Sequence, residues 1–369
     1  MDMKERNSNI EALRVLAMLF IVISHYSVHG SIKSMDLEFG FNKFLIDSTN
    51  YGLIGVAIFV MITGYYLIES EFKVKRVVNI VLQTLFYTMG LFVIFCIFDN
   101  DNFSVINLFK NMFPVIGQRY WFVTNYVILC FLSPFINKML NIINRKQFIL
   151  LLIVITFYFI IAPSFFDLES IEITGKLGAI VVFYIFGAYL RKYPDNIFAN
   201  KSWALIISVA TFILLELSAI AIDVVGERFS AFYGKASKFY TINSILVLLF
   251  ALGLLSFCIN KTPKYSRLVN TLGGCTFGVY LIHDNNYMRE YLWGNIFDNS
   301  KYAESNYLIV HFILSVIIVY VACTVIEYIR KYVLEKYVFK NIINRINSYA
   351  DSIYSRLLSI IDKSYTIEQ

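Results

Sequence analysis

Apolar residues run along this chain in long blocks separated by short polar connections. The blocks lie near 10–28, 50–68, 77–98, 121–137, 148–163, 177–190, 203–222, 241–259, 271–284 and 306–329. A hydrocarbon core roughly 30 Å thick needs about 20 apolar residues per helical span. The pattern therefore predicts an all-α fold, a polytopic transmembrane helical bundle of about ten spans. The sixth and ninth blocks are short, so those helices are either less tilted or lie inside the bundle, away from lipid. No repeat of fixed period is evident. After residue 333 the pattern changes. Val338, Ile342, Ile346, Tyr349, Ile353 and Leu357 recur at helical spacing with polar residues between them. This predicts a membrane-embedded domain over 1–333 and a cytoplasmic amphipathic tail over 334–369 lying on the membrane surface. A packed terminal helix is the alternative for the tail.

Positive charge orients the bundle. Lys4 and Arg6 precede the first block, and clusters such as Lys73, Lys75 and Arg76, or Lys261, Lys264 and Arg267, fill the even-numbered connections. With the tail to Arg345, this side carries 19 Lys and Arg against 10 in the other connections. The positive-inside rule then puts both termini in the cytoplasm. Composition agrees with a membrane protein. Of 369 residues, 58% are hydrophobic and 16% charged, with a mean hydropathy of +0.64. Soluble domains run near 45–50% apolar and about 25% charged. The net charge of +6 reads as loops facing anionic lipid, so membrane lipids are partners and nucleic acid is not. The five cysteines sit in apolar blocks without CxxC or Cys/His spacing, and they predict buried packing and no metal site. The first block is long and holds Arg14, which argues for a retained helix rather than a removed signal peptide.

Arg14 and His25 are the residues that lipid would not tolerate. Ser8 and Glu11 form an S-x-x-E capping box ahead of them, which gives Glu11 a structural explanation. From a start near Ser8, Arg14 lies about 9 Å along the axis and His25 about 16 Å beyond it. Eleven residues at about 100° each return to nearly the same direction, so the pair shares one face. Arg14 alone could snorkel to the headgroups, and His25 alone could be a hydrogen-bonded interior histidine. Together they point to a polar cavity along the bundle, since intramembrane ionisable residues are functional candidates.

Other segments add chemistry. Phe59–Tyr66 brings Gly64 for close helix approach and Thr63 for hydrogen bonding across helices. Lys73, Lys75 and Arg76 follow as a basic cluster suited to phosphates, although lipid-facing positive-inside charge explains them equally well. Arg119, Tyr120 and Trp121 enter the fourth span from outside. An interfacial aromatic belt accounts for them, and stacking with hydroxyl contacts would also suit a sugar. Tyr280–Asp284 ends the ninth span with His283 and Asp284. The glycines of 273–278 follow no strand, so they form no nucleotide loop.

In order and spacing these pieces resemble the acyltransferase type 3 family of polytopic membrane acyltransferases. The most specific element is Arg14, ten intervening residues, then His25. Phe59–Tyr65 is similar to the family's F-F-x-x-S-G-F motif, with Val60, Thr63 and Tyr65 standing where phenylalanine, serine and phenylalanine are common. Lys73–Arg76 sits where the family has a basic run, but the proline that often follows is absent, with Gln83 near its place. Tyr120-Trp121-Phe122, Leu132–Asn137 and Tyr280–His283 resemble the branch that O-acetylates bacterial surface polysaccharides. The resemblance covers the first span through the ninth, and no hydrolase-like domain is expected after the bundle.

The resemblance implies an O-acetyltransferase in a bacterial plasma membrane. It would take acetyl, or another short acyl group, from cytoplasmic acetyl-CoA and place it on a hydroxyl of a surface polysaccharide or its lipid-linked precursor. His25 would be the catalytic histidine and general base, with Arg14 its partner. Lys73, Lys75 and Arg76 would hold CoA phosphates, and Thr63, Arg119, Tyr120, Trp121 and His283 would bind substrate. Asp284 or Glu11 could orient a histidine. As the catalytic histidine, His29, His283 and His311 carry no comparable support, although His283 is worth testing. A transporter or flippase for a lipid-linked sugar fits the same buried charges, but such proteins often show inverted repeats and broken helices at mid-membrane, and the sequence displays neither.

Overall fold

Backbone groups in hydrocarbon must be satisfied within the segment that carries them, which leaves helices as the element for apolar blocks of this length. In the computed structural model, which describes residues 6–99, 101, 103–166 and 172–367, every regular element is helical. Lys4 and the final two positions of the predicted tail lie outside the described residues. The helices are α1 (Ser8–Val28), α2 (Phe41–Ser48), α3 (Gly52–Leu67), α4 (Val74–Phe98), α5 (Val105–Met112), α6 (Trp121–Ile142), α7 (Arg145–Thr156), α8 (Ala162–Phe165), α9 (Glu172–Lys192), α10 (Lys201–Gly226), α11 (Ile245–Ile259), α12 (Arg267–Gly273), α13 (Thr276–His283), α14 (Asn286–Glu290), α15 (Leu308–Ile329) and α16 (Lys340–Ile367). Eight helical stretches among the described residues are long and apolar enough to cross a membrane, so the chain is an all-α, multi-pass membrane protein. The sixth predicted block is α9. The ninth is interrupted between α12 and α13, and α13 has eight residues, about 12 Å of helix. It is buried almost throughout, with Val279 and Leu281 fully enclosed.

The sequence reading also expected uninterrupted helices. Three π-helical stretches stand against that, at Phe157–Ile161, Tyr291–Ile296 and Arg330–Phe339. A π-turn shifts hydrogen bonding by one residue without changing the polarity pattern, so hydrophobic periodicity does not signal it.

The chain divides into two compact units. The first comprises Met1–Ser70 and Phe135–Thr324, the second Glu71–Pro134 and Val325–Gln369. In the first unit α1, α3, α9 and α11 pack around side chains such as Val22, Ile58, Met61, Phe183 and Leu255, all fully enclosed. Two glycines set the tightest crossing. A Cβ on Gly64 would strike the Tyr184 carbonyl, and one on Gly187 would strike the Met61 carbonyl. Small residues at a membrane helix crossing let backbones approach this closely. Asn137 ties the same region together. Its Nδ2 donates to the Leu67 carbonyl at the end of α3, 2.8 Å, and its Oδ1 accepts from Tyr184 Oη, 2.8 Å.

In the second unit α4 turns Ile94, Ile97 and Phe98 outward, as a lipid-facing surface requires. Pro134 lies inside α6 and brings no N–H for the Cys130 carbonyl four residues back. The Ser133 hydroxyl donates to that carbonyl at 2.8 Å instead. Pro134 is also where the first half of α6 gives way to the other unit.

Candidate functional site

The face of α1 that carries Arg14 and His25 is continuous, because α1 runs unbroken from Ser8 to Val28. Its start differs from the expected capping box. Asn7 is the N-cap, and its side chain accepts from the Asn9 amide at 3.0 Å. Asparagine caps as well as serine, so Ser8 becomes the first helical residue. Its buried hydroxyl donates to Asn270 Oδ1 at 2.7 Å and accepts from the Ser266 amide at 2.7 Å, which anchors α12. Glu11 is freed from capping and accepts from Arg14 Nη1 at 2.8 Å. A Cβ on Gly273 would strike the Glu11 carboxylate, so α12 closes over this pair.

At the other end of α1 three charged or titratable side chains converge on one carboxylate. Asp284, 2% exposed, caps the end of α13. Its Oδ1 lies 3.6 Å from His25 Nδ1 and 3.5 Å from His29 Nε2. Arg289 donates to the same oxygen from Nη2 at 2.7 Å and from Nε at 3.1 Å, and to the Asp284 carbonyl at 3.2 Å. The guanidinium thus holds the carboxylate in place. His25, in the last turn of α1, and His29, its C-cap, lie four residues apart with ring centroids at 4.6 Å. His283 presents its ring 5.0 Å from that of His25. It is fully buried, and its Nδ1 meets the Val279 carbonyl at 2.6 Å. That contact assigns the Nδ1–H tautomer to His283 and leaves Nε2 as an enclosed lone pair. His25 Nδ1 is likewise shielded from solvent and makes no hydrogen bond in this geometry, since 3.6 Å exceeds bonding distance.

His29 lies just past α1. Burial pushes its pKa below the ordinary histidine value, and the Asp284 carboxylate acts in the opposite direction. His25, His29 and Asp284 offer ligand atoms within 4.8 Å of one another, a spacing that a divalent cation could use. A cation there would have to share Asp284 Oδ1 with the Arg289 guanidinium, and like charges at such spacing repel strongly. The carboxylate–histidine reading needs no such displacement.

Of the residues singled out from sequence, the structure brings His25 and His283 together and places Arg14 about 16 Å down the same helix. Thr63 sits elsewhere. Gly52 at the start of α3 packs on Ser24, and Thr63 follows eleven residues later, toward the Arg14 end. Its hydroxyl donates back to the Phe59 carbonyl at 2.9 Å. Lys73, Lys75, Arg76, Arg119, Tyr120 and Trp121 belong to the second unit. Lys73, Lys75 and Arg76 are exposed there, with Arg76 Nη1 donating to the Glu71 carbonyl at 3.2 Å. Arg119 Nη2 bonds the Asn107 backbone and side-chain oxygens at 3.3 and 3.2 Å, and Tyr120 is buried. His311 pairs with Tyr26 Oη at 2.8 Å and stacks on Tyr302.

Sequence reasoning passed over His29 and Arg289. The signal for His29 was present, because an i,i+4 step from His25 stays on one helix face. Arg289 was counted only as loop charge, although it follows Asp284 by five residues.

The family model for the acyltransferase domain matches residues 7–328, a stretch that holds the His/Asp/Arg cluster and the Glu11–Arg14 pair. No curated protein and no solved structure matches the chain.

Proposed function

The chain belongs to the acyltransferase type 3 family and is a membrane acyltransferase, and from that premise we propose an O-acetyltransferase acting on a glycan. The donor is acetyl-CoA, or a CoA ester of another short acyl group, on the cytoplasmic side of a bacterial plasma membrane. The acceptor is a hydroxyl of a surface polysaccharide or of its lipid-linked precursor. One observation carries the reading: His25 stands beside a buried carboxylate that Arg289 locks in position.

In this scheme Asp284 orients His25 through Nδ1 and leaves Nε2 as the base, the division of labour familiar from carboxylate–histidine pairs. Hydrogen bonds of such pairs are often long without substrate and tighten in the complex. Neutral His25 takes the proton of the sugar hydroxyl as its oxygen attacks the thioester carbonyl. The new C–O bond forms, the C–S bond breaks, and the imidazolium returns the proton to the leaving thiolate. Free CoA and an O-acyl glycan result. Lys73, Lys75 and Arg76 are assigned to the donor's phosphates, for which cationic donors are suited, and Arg14 to the catalytic pair with His25. His283 is assigned to the acceptor side, next to His25.

Purified protein given labelled acetyl-CoA and an acceptor polysaccharide tests this. Label should move to the glycan with wild type, and His25→Ala and Arg14→Ala should abolish transfer. Succinyl-CoA and other short acyl-CoAs as competitors define the donor. Transfer by His25→Ala at the wild-type rate would sink the proposal.

A further inference from the structure

The last span does not stop where it leaves the membrane. From Leu308 to Ile329 it has 22 residues, about 33 Å of helix, close to a hydrocarbon core roughly 30 Å thick. It then continues as ten residues of π-helix, Arg330–Phe339, before α16 begins. Turns of this kind occur mostly as single bulges and frequently mark functional sites. Ten residues of it, placed at headgroup depth, therefore call for an explanation.

Part of the explanation is a buried charge cluster. Glu327, 1% exposed, accepts from Arg330 Nε at 2.7 Å and Nη2 at 2.8 Å, from Tyr87 Oη at 2.6 Å and from Gln83 Nε2 at 3.1 Å. Glu335 takes the remaining arm of Arg330 at 2.9 Å. Over 327–340 the two carboxylates, Glu327 and Glu335, share one guanidinium. Lys331, Lys336 and Lys340 leave the segment net positive.

The helix type decides where those lysines point. In an α-helix, nine residues at about 100° each would put Lys331 and Lys340 on opposite faces. An i→i+5 ladder turns roughly 80° per residue, which returns Lys340 to the face of Lys331 and keeps Lys336 near it. The three lysines do line one cleft of about 300 Å³, together with Tyr332 and Asn344. A second cleft of about 240 Å³ adjoins it and shares Lys331, Glu335 and Ile343. One wall is apolar, formed by Leu82, Phe86, Phe339, Ile342 and Ile346, while Asn79, Gln83 and Arg330 line the polar side. A basic recess joined to an apolar one, at headgroup depth, complements a molecule with an anionic head and a hydrocarbon tail.

We infer that the π-helix Arg330–Phe339 and its two clefts form a binding site for an anionic membrane phospholipid, with the phosphate on Lys331, Lys336 and Lys340 and an acyl chain along the apolar wall. Anionic leaflets attract basic segments near the surface. Here the π-helical register gathers that charge beside a groove for the chain. The site owes nothing to the acyl-transfer reading.

Full-length protein in nanodiscs of phosphatidylcholine, with and without 30% phosphatidylglycerol, tests it by native mass spectrometry and lipid competition. Wild type should retain phosphatidylglycerol through detergent exchange, and Lys331→Ala/Lys336→Ala/Lys340→Ala should bind it at least tenfold more weakly. Lys201→Ala/Lys261→Ala/Lys264→Ala removes the same charge elsewhere and should change binding less than twofold. Lys336→Ala alone, a milder change, should weaken binding measurably. Equal loss in both triple variants would show general surface attraction and overturn the site. Displacement of the lipid by inorganic phosphate at equal concentration would show a free-anion site and overturn the phospholipid assignment.

Discussion

Asp284→Asn keeps the shape of the side chain at the centre of the histidine cluster and removes its charge. If His25 becomes an imidazolium during transfer, its attraction to a carboxylate oxygen 3.6 Å away is about 4–5 kcal/mol at an effective dielectric constant of 20. Arg289 sits 2.7 Å from the same oxygen and offsets part of that attraction, so roughly half of it reaches the reaction. Each 1.36 kcal/mol is tenfold in rate, and half the attraction corresponds to about 30-fold or somewhat more. Single-turnover transfer from labelled acetyl-CoA should therefore slow by about 30-fold to about 2,500-fold in Asp284→Asn, the full attraction setting the upper limit. The KM for the donor should hardly change, since Arg14 and the basic residues are untouched. A folded Asp284→Asn protein that transfers within threefold of wild type would refute the orienting role of the carboxylate.

Packing and charge in the two units give further expectations. Gly64→Ala forces a methyl into the Tyr184 carbonyl and should cost about 1–3 kcal/mol, whereas Gly90→Ala, with open space at its Cβ, should leave the melting temperature unchanged or raise it; a thermal-shift assay separates them. Glu327→Gln leaves Arg330 without its buried partner. Breaking such a pair costs about 3–5 kcal/mol, so the melting temperature should fall clearly, while Glu335→Gln, at a carboxylate 41% exposed, should matter much less. His29 carries a pH effect. Its folded pKa is depressed, so below about 6.5 the unfolded chain takes the proton first and stability falls as the pH drops. His29→Gln should flatten the melting temperature between pH 6.5 and 5.

The sequence made one half of the site readable and concealed the other. Arg14 and His25 stood out because charge in an apolar helix is costly and their spacing is a whole number of turns. Asp284 is 259 positions from His25, and only the burial of α13 against α1 brings them together. Its role as an orienting group was one of two options in the sequence, and the other, Glu11, turned out to be the partner of Arg14. The capping box misled because Asn7 and Ser8 are neighbouring caps of similar strength, and only the packing of α12 on the Ser8 hydroxyl decides between them. The helical class and the long blocks followed directly from hydropathy. The π-helices did not, since a one-residue shift in hydrogen bonding leaves the apolar pattern intact. Thr63 suited an interhelical bond by type, but the register set by Gly52 on Ser24 carries it to the Arg14 end.

Transfer of an acyl group from CoA to a glycan through His25 is the proposal on which the other expectations rest. Mass spectrometry of surface polysaccharide from cells expressing wild type or His25→Ala, matched for protein level, tests it most directly. Wild type should add an acyl mass increment to the sugar repeat, and His25→Ala should lose it. The same increment with both, or an unmodified glycan with wild type, would contradict the proposal.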